Sequence, residues 1–206
     1  MSHVTMTVWL SLVRCSIVAK RTATAASMRI TGGEARGRLV ESPDGLSVRP
    51  TASKIRQAIF NILAKHVGQA RFLDVFAGTG LIGIEAMSRG AASLVAIEQN
   101  RQMVKAIEQS LKTLGYEGEV ICADYQRALS TLPPAQFDII YVDPPYKTNF
   151  PTQAVEAVER YDLLDSAGVL VVEHARSYKF LENWQLLRKI DCREYGQSAI
   201  SFFAKN

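Results

Sequence analysis

The sequence is poor in the residues that staple or metallate a fold. It has three cysteines, Cys15, Cys122 and Cys192, and three histidines, His3, His66 and His174, all far apart. An odd set of scattered cysteines builds no disulfide framework, and no pair has the spacing of a zinc site, so no metal is expected. Both Cys122 and Cys192 read as structural thiols, with Cys122 expected to be buried. A long hydrophobic run is also missing. The apolar stretch from Val8 to Ala19 is broken by Arg14 and is shorter than the roughly 20 residues that cross a bilayer, so no membrane partner is expected. Acidic residues are absent from residues 1–27, which carry Arg14, Lys20 and Arg21. That segment reads as an unstructured extension. An over-read start ahead of Met28 implies a cytoplasmic protein, and a transit-like leader implies a plastid or another organelle.

What remains is the composition of an ordinary globular domain, with 206 residues, 48% hydrophobic and 21% charged. The net charge of +4 is unevenly distributed. Residues 28–70 carry seven basic and three acidic side chains, whereas the chain from residue 71 onward is net negative. A basic segment ahead of an acidic domain can contact phosphates without reading sequence; a solvated basic face is the plainer alternative.

Periodicity divides the chain at the same place. From Met28 to Val48, short strand-like pieces around glycines, with a turn at Pro43-Asp44-Gly45, predict a hairpin. Thr51 or Ser53 then caps a helix that packs through Ile55, Ala58, Ile59, Ile62 and Leu63 and leaves Lys54, Arg56 and Gln57 free. From Arg71, apolar runs at 71–76, 93–98, 118–123, 137–142 and 168–173 alternate with helical stretches near 81–89, 100–114 and 151–161. That alternation is the mark of a parallel sheet covered on both faces. Runs at 185–192 and 197–204 predict a closing antiparallel hairpin.

Chemistry-bearing residues gather at the carboxyl ends of these strands, the edge where open α/β sheets bind ligands. Phe72 to Gly83 is a strand, a glycine turn and a helix start, whose Gly78 and Gly80 allow close backbone approach near free helix amides. Asp74, Phe76, Gly78, Thr79 and Gly80 therefore read as cofactor-binding. Glu98 ends the next strand, where a carboxylate can accept from both ribose hydroxyls, and Asp124 follows the third strand within reach of an adenine amino group. The spacing Gly78-x-Gly80-x-x-Gly83 also satisfies a dinucleotide fingerprint, so an NAD-dependent dehydrogenase competes. Asp74 argues against it, since a carboxylate suits a sulfonium with an amino-acid tail and repels a pyrophosphate.

The fourth strand delivers Asp143-Pro144-Pro145-Tyr146 to the same edge. An exocyclic base amine is a poor nucleophile because its lone pair is delocalised into the ring. If the Asp143 carboxylate and the Pro144 carbonyl each accept one N–H, the nitrogen is drawn toward tetrahedral geometry and can attack a methyl sulfonium. The prolines fix the turn, and Tyr146 offers a face for a flipped-out base. S-adenosylmethionine is the cofactor this constellation implies. The tetrapeptide does not distinguish guanine from adenine N6 or cytosine N4.

These residues resemble the bacterial 16S ribosomal RNA guanine-N2 methyltransferases of the RsmD type. The resemblance runs through Arg29-Ile30-Thr31-Gly32-Gly33, Arg36-Gly37-Arg38, Val48-Arg49-Pro50-Thr51 and Arg56 to Leu63. It continues in Leu73 to Gly80, Glu85 to Gly90 and Asp143 to Tyr146. It implies a Rossmann-like, seven-stranded class I methyltransferase sheet over 71–206 and an RNA-contacting hairpin and helix over 28–70. It implies a guanine of 16S rRNA as substrate, in an assembled or assembling 30S subunit; separately, a monomeric enzyme is expected. Arg36, Arg38, Arg49 and Arg56 become candidates for rRNA backbone contacts. The competing readings are a DNA adenine or cytosine methyltransferase, the dehydrogenase, and a non-catalytic rRNA-binding assembly factor.

Overall fold

The computed structural model describes residues 27–41, 50–145, 149–180 and 184–206. The segment 1–26, the Pro43-Asp44-Gly45 turn, Arg49 and Tyr146 lie outside them. The sheet of the α/β core has seven strands: β3 (Arg71–Asp74), β4 (Ser93–Glu98), β5 (Glu119–Cys122), β6 (Phe137–Val142), β7 (Leu164–Ala175), β8 (Leu187–Tyr195) and β9 (Ser198–Lys205). Their order across the sheet is β5-β4-β3-β6-β7-β9-β8. The first five pair in parallel, and β9 inserts antiparallel between β7 and β8. The crossovers are α2 (Leu81–Ser88), α3 (Arg101–Leu114), α4 (Tyr125–Leu129) and α5 (Phe150–Arg160). The chain order reverses between β3 and β6, which makes their carboxyl ends the topological switch point where such sheets take ligands.

The pleat sorts side chains into two cores. Phe72, Leu94, Ala96, Ile139, Tyr141 and Val171 point to one face and pack with α2 and α3. Leu73, Val95, Ile97, Ile140, Val142 and Val172 point to the other and pack with α4 and α5. Alternation with period two on strands apolar throughout is what a sheet buried on both faces requires.

Ahead of the sheet, β1 (Ser27–Arg29) pairs antiparallel with β2 (Leu39–Glu41), the hairpin that the glycine-spaced sequence predicts. Helix α1 (Pro50–Ile62) starts at a proline, ahead of the expected caps Thr51 and Ser53. Its buried arc runs through Ile55, Arg56, Ile59, Phe60 and on to Leu63, while Ile62 is 41% exposed. The packing face is thus rotated toward Arg56 and Phe60, away from Ile62. Ile30, Val40, Ile55 and Phe60 share one continuous core with Phe72 and Ile139, so the N-terminal segment packs on the sheet.

Other departures are local. Helix α4 has five residues, too few for a periodic signal, and is marked only by its cap, Asp124, whose Oδ1 accepts from the Gln126 amide at 2.9 Å. Strand β7 starts ahead of 168–173 because Leu164 pairs with Phe137 of β6 before a register shift, and it runs two residues past 173 because β9 pairs through Ala175. Cys122 is exposed, contrary to the expected burial. It ends β5, the outermost parallel strand, where no further strand among the described residues covers it.

Candidate active site

A cleft of about 850 Å³ opens at the carboxyl ends of β3, β4, β5 and β6. Its floor is the turn from β3 into α2. Gly78 (φ +55) and Gly80 (φ +75) hold left-handed conformations there, which cost an L side chain roughly 1–2 kcal/mol. Gly78 and Thr79 line the cleft. Gly80 does not; it caps α2 from behind, and a Cβ there would stand 2.9 Å from Ile107. Its role is to shape the loop.

Two carboxylates tie this floor together. Glu98 accepts from the Gly78 amide at 2.9 Å and from the Asn100 amide at 2.7 Å, so each oxygen carries one backbone N–H. Asp74 is buried and accepts from the Gly83 amide at 3.1 Å. Burial pushes its carboxyl up to about 7, with the charge of Glu98 adding to the rise and the Gly83 hydrogen bond opposing it. Asp124 lines the neighbouring wall. Phe76 completes that wall with Tyr125, whose ring centre lies 4.7 Å away, and with Phe150 at 6.1 Å.

The opposite wall comes from β6 and its exit. Asp143, Pro144 and Pro145 all line the cleft. Asp143 is open to solvent on the cleft side, but the surrounding protein displaces most of its hydration. That displacement pushes its carboxyl well above the usual range, and Glu173 and Asp74 add repulsion. Glu173 and Tyr141, neither of them expected from sequence, line the same wall. The Tyr141 hydroxyl donates to Glu173 Oε2 at 3.0 Å. Burial, then the charges of Asp143, Glu173 and Asp74, raise the Tyr141 phenol well above its ordinary value, so it stays a donor. Glu173 is the last residue of the expected strand 168–173, and the rule that found Asp74 and Glu98 at strand ends applies to it equally. Tyr125 and Phe150 carried no comparable signal.

Among the described residues, five carboxylates line the cleft: Asp74, Glu98, Asp124, Asp143 and Glu173. Among the described residues that line it, Arg56 is the one arginine, and it is not free. It is 4% exposed. Its Nε donates to Glu85 Oε2 at 2.6 Å and its Nη2 to the Arg29 carbonyl at 2.7 Å. The expectation of a surface rRNA contact at Arg56 is therefore corrected: the rotation of α1 turns it inward to neutralise the fully buried Glu85. Glu85 also takes Arg89 Nη2 at 2.8 Å and both the amide and the hydroxyl of Thr31, clamping the N-terminal segment to α2. Arg36 and Arg38 are exposed, with Arg38 Nη2 donating to the Thr113 carbonyl at 3.1 Å.

A family profile described as "Conserved hypothetical protein 95" matches residues 28–204. The chain is 31% identical to the ribosomal RNA small subunit methyltransferase D of Escherichia coli K12, over 72% of this chain and 75% of that one. Among solved structures, the E. coli protein yhhF is 30% identical, covers 88% of this chain and 99% of its own, and superposes with a TM-score of 0.76. The Thermus thermophilus 16S rRNA N2 G1207 methyltransferase RsmC, solved with AdoMet and guanosine, shares the fold. It is 20% identical, over 89% of this chain and 50% of its own, with a TM-score of 0.65.

Proposed function

Because this chain belongs to the family described as Conserved hypothetical protein 95, whose curated members include ribosomal RNA small subunit methyltransferase D, we propose that it methylates small-subunit rRNA. The proposed reaction is S-adenosylmethionine-dependent methylation of the exocyclic N2 amino group of a guanine. The observation that carries it is the convergence of Asp143-Pro144-Pro145 with the glycine turn, Asp74, Glu98 and Asp124 in one cleft.

The donor set fits the cofactor. The single backbone N–H on each Glu98 oxygen leaves lone pairs for the two hydroxyls of a ribose. The aromatic wall of Phe76, Tyr125 and Phe150 suits an adenine, with Asp124 beside it. Asp74 suits the ammonium of an amino-acid tail. Five carboxylates favour a ligand with a sulfonium and an ammonium and disfavour a pyrophosphate, which argues against the dehydrogenase.

S-adenosylmethionine, when bound, supplies the electrophilic methyl group. The chain's own groups prepare the nucleophile. Asp143 and the Pro144 carbonyl each accept one N–H of the amino group, which restores its lone pair and holds it for attack. As the N–C bond forms and the methyl leaves sulfur, an N–H bond breaks and its proton passes to Asp143, whose affinity for protons its surroundings raise. Arg36 and Arg38 are the exposed cations proposed to meet the rRNA backbone, in an assembled or assembling 30S subunit and with the enzyme acting as a cytoplasmic monomer.

The test is incubation of purified protein with labelled S-adenosylmethionine and small subunits that lack the modification, followed by nucleoside analysis. Label in N2-methylguanosine is the expected result. Label confined to DNA or protein, or found in another nucleoside, overturns the substrate assignment. Titration adds a check on the cofactor, since binding of NADH and not of S-adenosylhomocysteine would overturn that part.

A further inference from the structure

One feature of the cleft is unused by the reaction as described: the second carboxylate on the Asp143 wall. Strands β6 and β7 run in parallel with Tyr141 opposite Val171 and Val142 opposite Val172. One rung further on, Asp143 comes beside Glu173. The pleat puts both on the face that carries Tyr141 and Asp74. Glu173 is only 8% exposed and lines the cleft, and the Tyr141 hydroxyl fixes its Oε2 at 3.0 Å. Two carboxylates on adjacent strands at the same depth repel each other. Neither strand requires the pairing, since Tyr141 and three valines fill the two preceding rungs.

A base with two adjacent donors makes sense of two adjacent acceptors. Guanine carries its amino group next to a ring N1–H, so its edge offers donor beside donor. In adenine and cytosine the ring nitrogen next to the amino group is a bare acceptor. A carboxylate there would face a ring-nitrogen lone pair, acceptor against acceptor, and the two repel. Resting on the amino-methylation reading above, we propose that Glu173 is the residue that selects guanine, by accepting the N1–H while Asp143 and Pro144 hold the neighbouring amino group. Tyr141 acts as a positioning residue that orients this carboxylate. The pairing explains why a site built on a tetrapeptide compatible with several bases takes one of them.

The test compares small subunits reconstituted with guanosine or with 2-aminopurine riboside at the mapped methylation position. 2-Aminopurine keeps the amino group and lacks the N1–H. Wild type should prefer guanosine by at least ~10-fold in kcat/KM; equal rates on the two subunits overturn the proposal before any variant is made. In Glu173→Gln the Tyr141 hydroxyl still engages the side-chain oxygen, which turns the amide NH2 toward the base as a donor. Activity on guanosine should fall ~10–100-fold while the ratio of 2-aminopurine to guanosine rates rises at least ~10-fold. Tyr141→Phe keeps the charge and should slow both substrates with the guanosine preference intact. Equal losses on both substrates in Glu173→Gln, or a reversed preference in Tyr141→Phe, overturn the proposal. Absence of any guanosine methylation by wild type would instead refute the function on which it rests.

Discussion

Asp74→Asn is expected to stabilise the ligand-free protein while weakening the cofactor site. Asp74 is buried, and its carboxyl is raised from 3.8 to about 7. A folded-state value above the unfolded one means that the folded protein binds the extra proton between those limits. Stability associated with this group is therefore complete below about pH 4 and is lost as pH rises through about 7. A shift of roughly 3 units corresponds to at most about 4 kcal/mol of strain by pH 8. Asparagine removes the charge and keeps an oxygen for the Gly83 amide. Urea unfolding of both proteins from pH 4 to 8 should give curves that nearly coincide at pH 4 and separate by up to about 4 kcal/mol at pH 8. At about 2–4 °C per kcal/mol for a chain of this size, the melting temperature should rise by roughly 10 °C at pH 8. Affinity for S-adenosylhomocysteine should fall in the same variant, because the amide offers no charge to an ammonium. A stability difference that is flat with pH, or an asparagine variant less stable at pH 8, would refute the reasoning.

Glu85→Ala should cost about 3–5 kcal/mol, because it leaves Arg56 buried and unpaired. The double variant Glu85→Met with Arg56→Met should recover most of that in urea unfolding. Gly80→Ala should cost about 2 kcal/mol or more from its positive φ and the contact with Ile107, seen as a lower melting temperature together with weaker S-adenosylhomocysteine binding. Arg36→Ala should weaken association with small subunits and lower the slope of log affinity against log salt by about 1. An unchanged slope would remove Arg36 from the phosphate contacts.

Much of this was legible in the sequence because each feature leaves a local mark. The five parallel strands appear as apolar runs, the glycine turn by residues that tolerate positive φ, and Asp74, Glu98 and Asp124 by their place at strand ends. What escaped depends on three-dimensional partners. Arg56 looked free because the helical stripe could be drawn through Ile62, and only packing against α2 shows that Phe60 and Arg56 face inward to Glu85. Glu173 looked like the end of a strand because its meaning lies in the register of β7 beside Asp143, and pairing partners are not written in either strand alone. Cys122 reads as buried from the habits of free cysteines, and it is exposed because β5 is an edge that the sequence does not reveal.

The central claim is that the Asp143 wall activates an amine beside a separately built cofactor floor. Single-turnover methyl transfer to unmodified small subunits by Asp143→Ala, measured beside S-adenosylhomocysteine affinity in the same preparation, separates the two parts. The account predicts a rate reduced at least ~100-fold with affinity within about twofold. A rate within tenfold of wild type, at unchanged affinity, would contradict it.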